Sequence, residues 1–166
     1  MHVHGGRKES AVLIPLFAGA DGAVHVVFTE RRHDLKRHAG EISFPGGRRD
    51  PGETLMRTAL REAHEEIGLP PEAVEVAGAL EPVGTFVTNY AIYPFVGVIE
   101  RREWVLAEAE VAQVLELSLD DLRAGEGERR LVRRGMAFRT TTYEVGSHMI
   151  WGATARILSD LLRRLA

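Results

Sequence analysis

The sequence predicts an α/β/α sandwich built on a mixed β-sheet. Apolar runs rich in β-branched and aromatic residues lie on both sides of one short amphipathic helix, a second amphipathic helix closes the chain, and no linker interrupts it. At 166 residues with 45% hydrophobic content, the chain can bury one good core, so residues 1–166 are expected to form a single domain.

The elements follow in order. The opening MHVHGGRKES has no apolar core, so residues 1–9 are expected to be flexible and not a secretory leader. Residues 11–18 and 23–29 are apolar runs joined by Gly19-Ala20-Asp21-Gly22, which reads as a β-hairpin. Over residues 54–67, Leu55, Ala59, Ala63 and Ile67 recur every four positions with Met56 and Leu60 beside them, giving a helix an apolar stripe to bury. Gly68 ends that helix, and Pro70-Pro71 prevent its continuation. Residues 74–80 alternate as a strand, with a possible extension to Phe86, and residues 91–100 carry strand-forming side chains. Residues 111–117 are ambiguous, Ser118-Leu119-Asp120-Asp121 reads as a capped short helix reaching Arg123, and residues 138–145 read as a late strand. From 147 to 165, Ile150, Trp151, Thr154, Ile157, Leu158, Leu161, Leu162 and Leu165 follow helical spacing.

Composition narrows the function. A charged fraction of 27% and a net charge of −3 supply no global basic field, so nucleic acid is not an expected partner. Cysteine is absent, which excludes disulfides, thiol catalysis and cysteine-ligated zinc. No stretch reaches membrane-spanning length, so no membrane partner is expected and the cytoplasm is the default location. A homodimer is compatible with the sequence.

The chemistry concentrates in residues 46–69, GGRRDPGETLMRTALREAHEEIGL. On a helix, 100° per residue places Glu62, Glu65 and Glu66 within an arc of roughly 100°. Such a run ordinarily faces solvent, yet it is repulsive unless a counter-charge is present, and hard cations such as Mg²⁺ or Mn²⁺ favour oxygen donors of this kind. Gly46-Gly47 after Pro45 permits close backbone approach to a cation. Arg61 lies off both the apolar stripe and the centre of the acidic face, as an ion-pair partner for Glu53 or a neighbouring carboxylate would.

The order Gly47, five residues, Glu53, seven residues, Arg61-Glu62-Ala63-His64-Glu65-Glu66-Ile67-Gly68-Leu69 resembles the Nudix box, here residues 47–69. The resemblance implies the Nudix α/β/α fold and metal-dependent hydrolysis of a nucleoside diphosphate linked to another moiety. By the register of the motif, Glu62 and Glu66 are the principal metal ligands, with Glu65 a further or water-mediated ligand. Glu53 is expected to act through hydrogen bonds, outer-shell water or a second ion, and the carbonyl of Gly46 or Gly47 to complete coordination. The general base is either a glutamate of the box or a loop carboxylate, for which Glu108 and Glu110 are the candidates.

Substrate choice must lie outside the box. Residues 27–47, VFTERRHDLKRHAGEISFPGG, place Arg31, Arg32, Lys36, Arg37 and His38 beside the expected phosphate site. Thr29, Arg31, Gly40, Phe44, Pro45, Gly46 and Gly47 match the second signature of the coenzyme A pyrophosphatase branch of the family, while Arg32 replaces a small residue and Lys36 an arginine. Lysine keeps the charge but lacks the bidentate fork suited to phosphate. Residues 147–158, SHMIWGATARIL, resemble the Trp-Gly-x-Thr-Ala element of that branch. These resemblances imply a substrate of coenzyme A or a derivative, with Arg31, Lys36, Arg37 and His38 as its contacts. Another nucleotide, such as ADP-ribose or a dinucleoside polyphosphate, and a non-catalytic nucleotide sensor are the alternatives.

Overall fold

The computed structural model describes residues 8–85 and 89–166, and the sandwich is present. Strand β1 (Lys8–Ala18) turns back into β2 (Val24–Arg31) with Leu16 opposite Val26 and Ala18 opposite Val24. Gly22 adopts φ 82° and Asp21 Oδ1 accepts from the Ala23 N–H at 3.0 Å, so the glycine and aspartate of the predicted hairpin do close it. Short strands β3 (Ile42–Ser43) and β4 (Gly46–Arg48) follow, then helix α1 (Leu55–Ile67).

A 3₁₀ turn at Pro71–Ala73 leads to β5 (Glu75–Ala79), β6 (Val83–Gly84) and β7 (Tyr90–Val98). The ambiguous segment is a strand, β8 (Val111–Ser118), and Ser118 caps α2 (Leu119–Ala124) through its hydroxyl, 3.0 Å from the Asp121 N–H. Then come β9 (Glu126–Arg133), β10 (Met136–Val145), β11 (His148–Ile150) and α3 (Gly152–Arg164).

The main sheet runs β3-β2-β1-β7-β5, with β4 added to β1, β6 to β7 and β8 to β2. Among the described residues only β1 and β7 pair in parallel, which makes the sheet mixed. Alternation along β1 and β2 sends residues to two separate cores. Ile14, Val26 and Phe28 pack with Ile157, Leu158, Leu161 and Leu162 of α3, while Leu13 and Val27 pack with Ala59, Ala63 and Ile67 of α1.

Several boundaries differ from expectation. Lys8 and Glu9 belong to β1, registered against Tyr90 and Ala91, and are therefore not part of a flexible tail; residues 1–7 lie outside the described residues. Of the expected extension of β5, only Phe86 falls outside them; β5 itself stops at Ala79, and Val83–Gly84 pairs with β7 as the separate strand β6. The last helix begins at Gly152 and not near Ser147, because Gly152 takes φ 68° and His148–Ile150 pairs with β10, Ile150 opposite Tyr143.

Candidate active site

Helix α1 is held at both ends by its own sequence. Thr54 Oγ1 accepts from the Arg57 N–H at 3.2 Å, and Gly68, at φ 72°, donates its N–H to the carbonyls of Ala63 and His64. With Ala59, Ala63 and Ile67 buried, the remaining face carries Glu62, Glu65 and Glu66 alongside β4. The glycines of β4 allow that approach. A Cβ on Gly47 would stand 2.6 Å from the carboxyl carbon of Glu62, and the Gly46 N–H donates to Glu66 Oε1 at 3.2 Å. The structure thus assigns Gly46 a backbone donor role toward a carboxylate.

Arg61 organises the carboxylates. Its Nε donates to Glu53 Oε2 at 2.7 Å and Nη2 to Glu53 Oε1 at 3.1 Å, while Nη1 reaches Glu62 Oε1 at 2.9 Å and both oxygens of Glu65 at 3.3 and 3.2 Å. Glu53 also accepts from Thr58 Oγ1 at 2.6 Å and the Asp50 N–H at 3.1 Å. Bonding to Arg61 holds the Glu53 carboxyl down to about 2, and the same contacts raise Arg61 above its ordinary value. Glu53 is the carboxylate to which Arg61 binds through both Nε and Nη2.

Glu62 and Glu66 behave oppositely. Burial first, and then the Glu62 carboxylate, push Glu66 up to about 8, with Glu110 adding to the rise while the Gly46 N–H and Arg31 oppose it. Burial also raises Glu62, Arg61 opposes the rise, and Glu65 and Glu110 add to it. Carboxyls whose ionisation burial and mutual repulsion disfavour are a donor set that a divalent cation would relieve. Among the described residues no three Asp, Glu or His side chains already stand as a closed cage. The fit rests on Glu62 and Glu66 with Glu110 beside them; Glu65 is more exposed and holds Arg61 with both oxygens.

The loop after β7 brings Glu110 there. Val105 and Ala107 donate their N–H groups to the carbonyls of Ile67 and Glu66 at 3.1 and 2.9 Å, and the Arg32 N–H donates to the Glu110 carbonyl at 2.9 Å. These bonds tie the loop to the end of α1 and of β2, so Glu110 shares a cleft with Glu66. Glu108 does not enter that cleft. Its carbonyl accepts from Arg32 Nη1 at 2.8 Å, and both residues line a separate shallow depression, so of the two loop carboxylates only Glu110 reaches the site.

The cleft encloses about 930 Å³. Of the predicted substrate contacts, Arg31, Arg37 and His38 line it; Lys36 is exposed and does not. Arg31 Nε donates to the Arg37 carbonyl at 2.8 Å, and His38 Nδ1 stands 2.7 Å from Glu41 Oε2, so the loop folds back on itself across the cleft. Arg32 is paired with Asp34 through its Nε at 2.9 Å, which takes it out of this group. Lys8, Arg48 and Arg134 line the cleft as well and were missed in the sequence. They come from three distant segments, and nothing local marks them as neighbours.

Comparison with known proteins gives the family. The family model for the NUDIX domain matches residues 7–135. The uncharacterized Nudix hydrolase NudL of Citrobacter koseri is 39% identical over 159 residues, covering 93% of this chain and 81% of that one, and NudL of Salmonella paratyphi B is 38% identical over the same shares. Among solved structures, the NUDIX domain of Shewanella oneidensis NrtR, crystallised with ADP ribose, superposes with a TM-score of 0.66 at 16% identity over 97% of this chain and 90% of that chain. A Nudix hydrolase from M. smegmatis, RenU, gives a TM-score of 0.61 at 24% identity over 71% and 74%. The chain belongs to the Nudix hydrolase family. Enzymes of this class act on nucleoside diphosphate derivatives and generally use divalent ions such as Mg²⁺ or Mn²⁺.

Proposed function

We propose that this chain hydrolyses the diphosphate linkage of coenzyme A or its derivatives in the cytoplasm, with Mg²⁺ or Mn²⁺, releasing 3′,5′-ADP and 4′-phosphopantetheine or its acylated form. The observation that carries the reading is the cation content of the cleft beside Glu66 and Glu110. Arg31, Arg37, Arg48, Lys8 and Arg134 line it together with Glu41, Glu66 and Glu110, and with a divalent cation offsetting the carboxylates these basic groups would suit a diphosphate substrate with a further phosphate. The signature-like spacing of Thr29, Arg31, Gly40 and Phe44-Pro45-Gly46-Gly47 supports the same choice.

Glu62 and Glu66 would hold the cation, which would supply charge neutralisation for the phosphoryl oxygens and a more acidic water. Glu110 stands at the same cleft as a carboxylate able to accept the proton of the attacking water. Glu53 acts through Arg61, whose guanidinium fixes the Glu62 oxygen it touches. Arg31 and Arg37 grip the diphosphate, and His38, positioned by Glu41, borders it.

One observation favours the alternative of a less phosphorylated nucleotide such as ADP-ribose: Lys36, which stands where the branch has an arginine, lies outside the cleft. Steady-state turnover of coenzyme A, dephospho-coenzyme A and ADP-ribose, each with Mg²⁺ and Mn²⁺, separates the readings. Coenzyme A is expected to give the highest kcat/KM; an equal or higher value for ADP-ribose would remove the coenzyme A assignment.

A further inference from the structure

We propose that Arg134, at the tip of the β9–β10 hairpin, binds an anionic group of the substrate lying outside the scissile diphosphate, and that Arg133, stacked on Trp151, holds the tip in place. The proposal rests on the hydrolase reading above, in which that group is the 3′-phosphate of coenzyme A.

The hairpin is exposed along most of its length. Its register pairs Arg133 with Met136, so Arg134 and Gly135 alone form the turn, at φ 52° and 77°. A two-residue turn with both central residues in the left-handed region favours Asn-Gly or Gly-Gly. An arginine there adopts a backbone that side chains disfavour, and a broken local rule without a structural return points to function. No such return is visible. Among the described residues no carboxylate pairs with Arg134, whereas on the same hairpin Arg129 pairs with Glu144 at 2.8 Å and Arg139 with Glu128 at 2.7 Å.

Arg133 and Arg134 divide two tasks. The guanidinium of Arg133 lies over the Trp151 ring, 4.0 Å from its centroid, a cation–π contact that docks the hairpin on the body of the protein. Trp151 is the residue from which α3 starts, and Ala153, Thr154 and Ile157 of α3 line the cleft together with Arg134. The docked turn therefore brings an unpaired, planar, five-donor cation to the α3 end of the cleft. A phosphate monoester is a ligand that such a fork recognises bidentately. Arg134 lines the cleft beside residues of α3, whereas Glu66 belongs to α1, whose apolar face packs into the other core, and the proposal accordingly gives Arg134 an anion other than the diphosphate being cleaved.

The test is steady-state kinetics of Arg134→Ala, Arg133→Ala and Arg133→Lys with coenzyme A and dephospho-coenzyme A, the metal-loaded enzyme being used throughout. Loss of one charge-assisted contact predicts that Arg134→Ala raises KM for coenzyme A about 10- to 100-fold with kcat nearly unchanged, and leaves dephospho-coenzyme A within about 2-fold. Arg133→Ala should shift KM in the same direction by less, and Arg133→Lys should restore it, since lysine keeps the cation over Trp151. An equal effect on both substrates, or none, overturns the role of Arg134; an Arg133→Lys variant as weak as Arg133→Ala overturns the clasp. Should the wild-type protein fail to prefer coenzyme A, the substrate reading falls separately, and Arg134→Ala is then measured on the nucleotide turned over best, where an unchanged KM rejects this proposal too.

Discussion

Replacing Glu66 by glutamine should make the metal-free protein more stable at alkaline pH while removing activity. Glu66 is raised from 4.5 to about 8, chiefly by burial and then by Glu62. A group raised in the folded state contributes stability that is full below its unfolded value and is lost as pH rises through the folded value. Without metal, the wild-type protein should therefore weaken between about pH 4.5 and 8. At roughly 1.4 kcal/mol per unit the ceiling is on the order of 5 kcal/mol above pH 8. The side chain borders an open cleft, so solvent screening reduces this to about 2 to 3 kcal/mol. Glutamine retains an oxygen for the Gly46 N–H and carries no charge, so it keeps the bond and removes the penalty.

For a domain of this size about 2 to 4 °C accompanies each kcal/mol, so Tm of Glu66→Gln at pH 8.5 should exceed wild type by on the order of 5–10 °C. The assay is thermal unfolding in EDTA from pH 5 to 9, repeated with Mg²⁺. Wild-type Tm should fall with pH in EDTA and recover with Mg²⁺, while the variant should fall less steeply, keeping only the dependence that the raised Glu62 carboxyl contributes, and should respond less to Mg²⁺. Glu53 does not confuse this window, because its depressed carboxyl contributes stability present above the unfolded carboxylate value and lost only as pH falls toward about 2. Parallel pH profiles for the two proteins would refute the reasoning.

Three further outcomes follow from the same contacts. Gly47→Ala puts a Cβ against the mobile end of Glu62, so the fold should survive while kcat/KM drops about 10-fold or more; Gly46→Ala meets the backbone of Ala11 and Val12 instead, and its loss should appear in Tm. Arg61→Ala leaves Glu53, only 10% exposed, without its main partner, and should destabilise by about 3 kcal/mol in denaturant unfolding, with Arg61→Lys recovering part of the stability but less of the activity. Glu110→Gln should lower kcat by about 100-fold in steady-state assays whereas Glu108→Gln leaves it unchanged, since only Glu110 shares the cleft with Glu66.

Local chemistry explains what could be read from the chain. The first hairpin, α1 and its termination at Gly68 were legible because turn glycines, a four-residue apolar repeat and the Pro70-Pro71 stop each act within a few residues. Strand β9 was not, since Glu126-Gly127-Glu128-Arg129-Arg130 lacks alternation and the strand is exposed on both faces. The start of α3 was misplaced because Ile150 and Trp151 happen to continue the helical apolar spacing, although Ile150 is buried as part of a strand. At the site, the glutamates of α1 were legible as a spaced motif. Glu110 could be named only as one of two loop carboxylates, because its selection over Glu108 depends on backbone bonds to Arg32 and to the end of α1. Arg134 carried no signal at all beyond an unusual residue before a turn glycine.

The proposed hydrolysis of coenzyme A depends on Glu62 and Glu66 holding the cation. Metal-stripped wild-type, Glu62→Gln and Glu66→Gln proteins should be titrated with Mn²⁺ while the release of 3′,5′-ADP from coenzyme A is followed. Saturable activation of the wild type, with either variant slowed by on the order of 1000-fold or more at saturating Mn²⁺, is the predicted result. Turnover that persists in EDTA, or a Glu66→Gln enzyme as fast as the wild type, would contradict it.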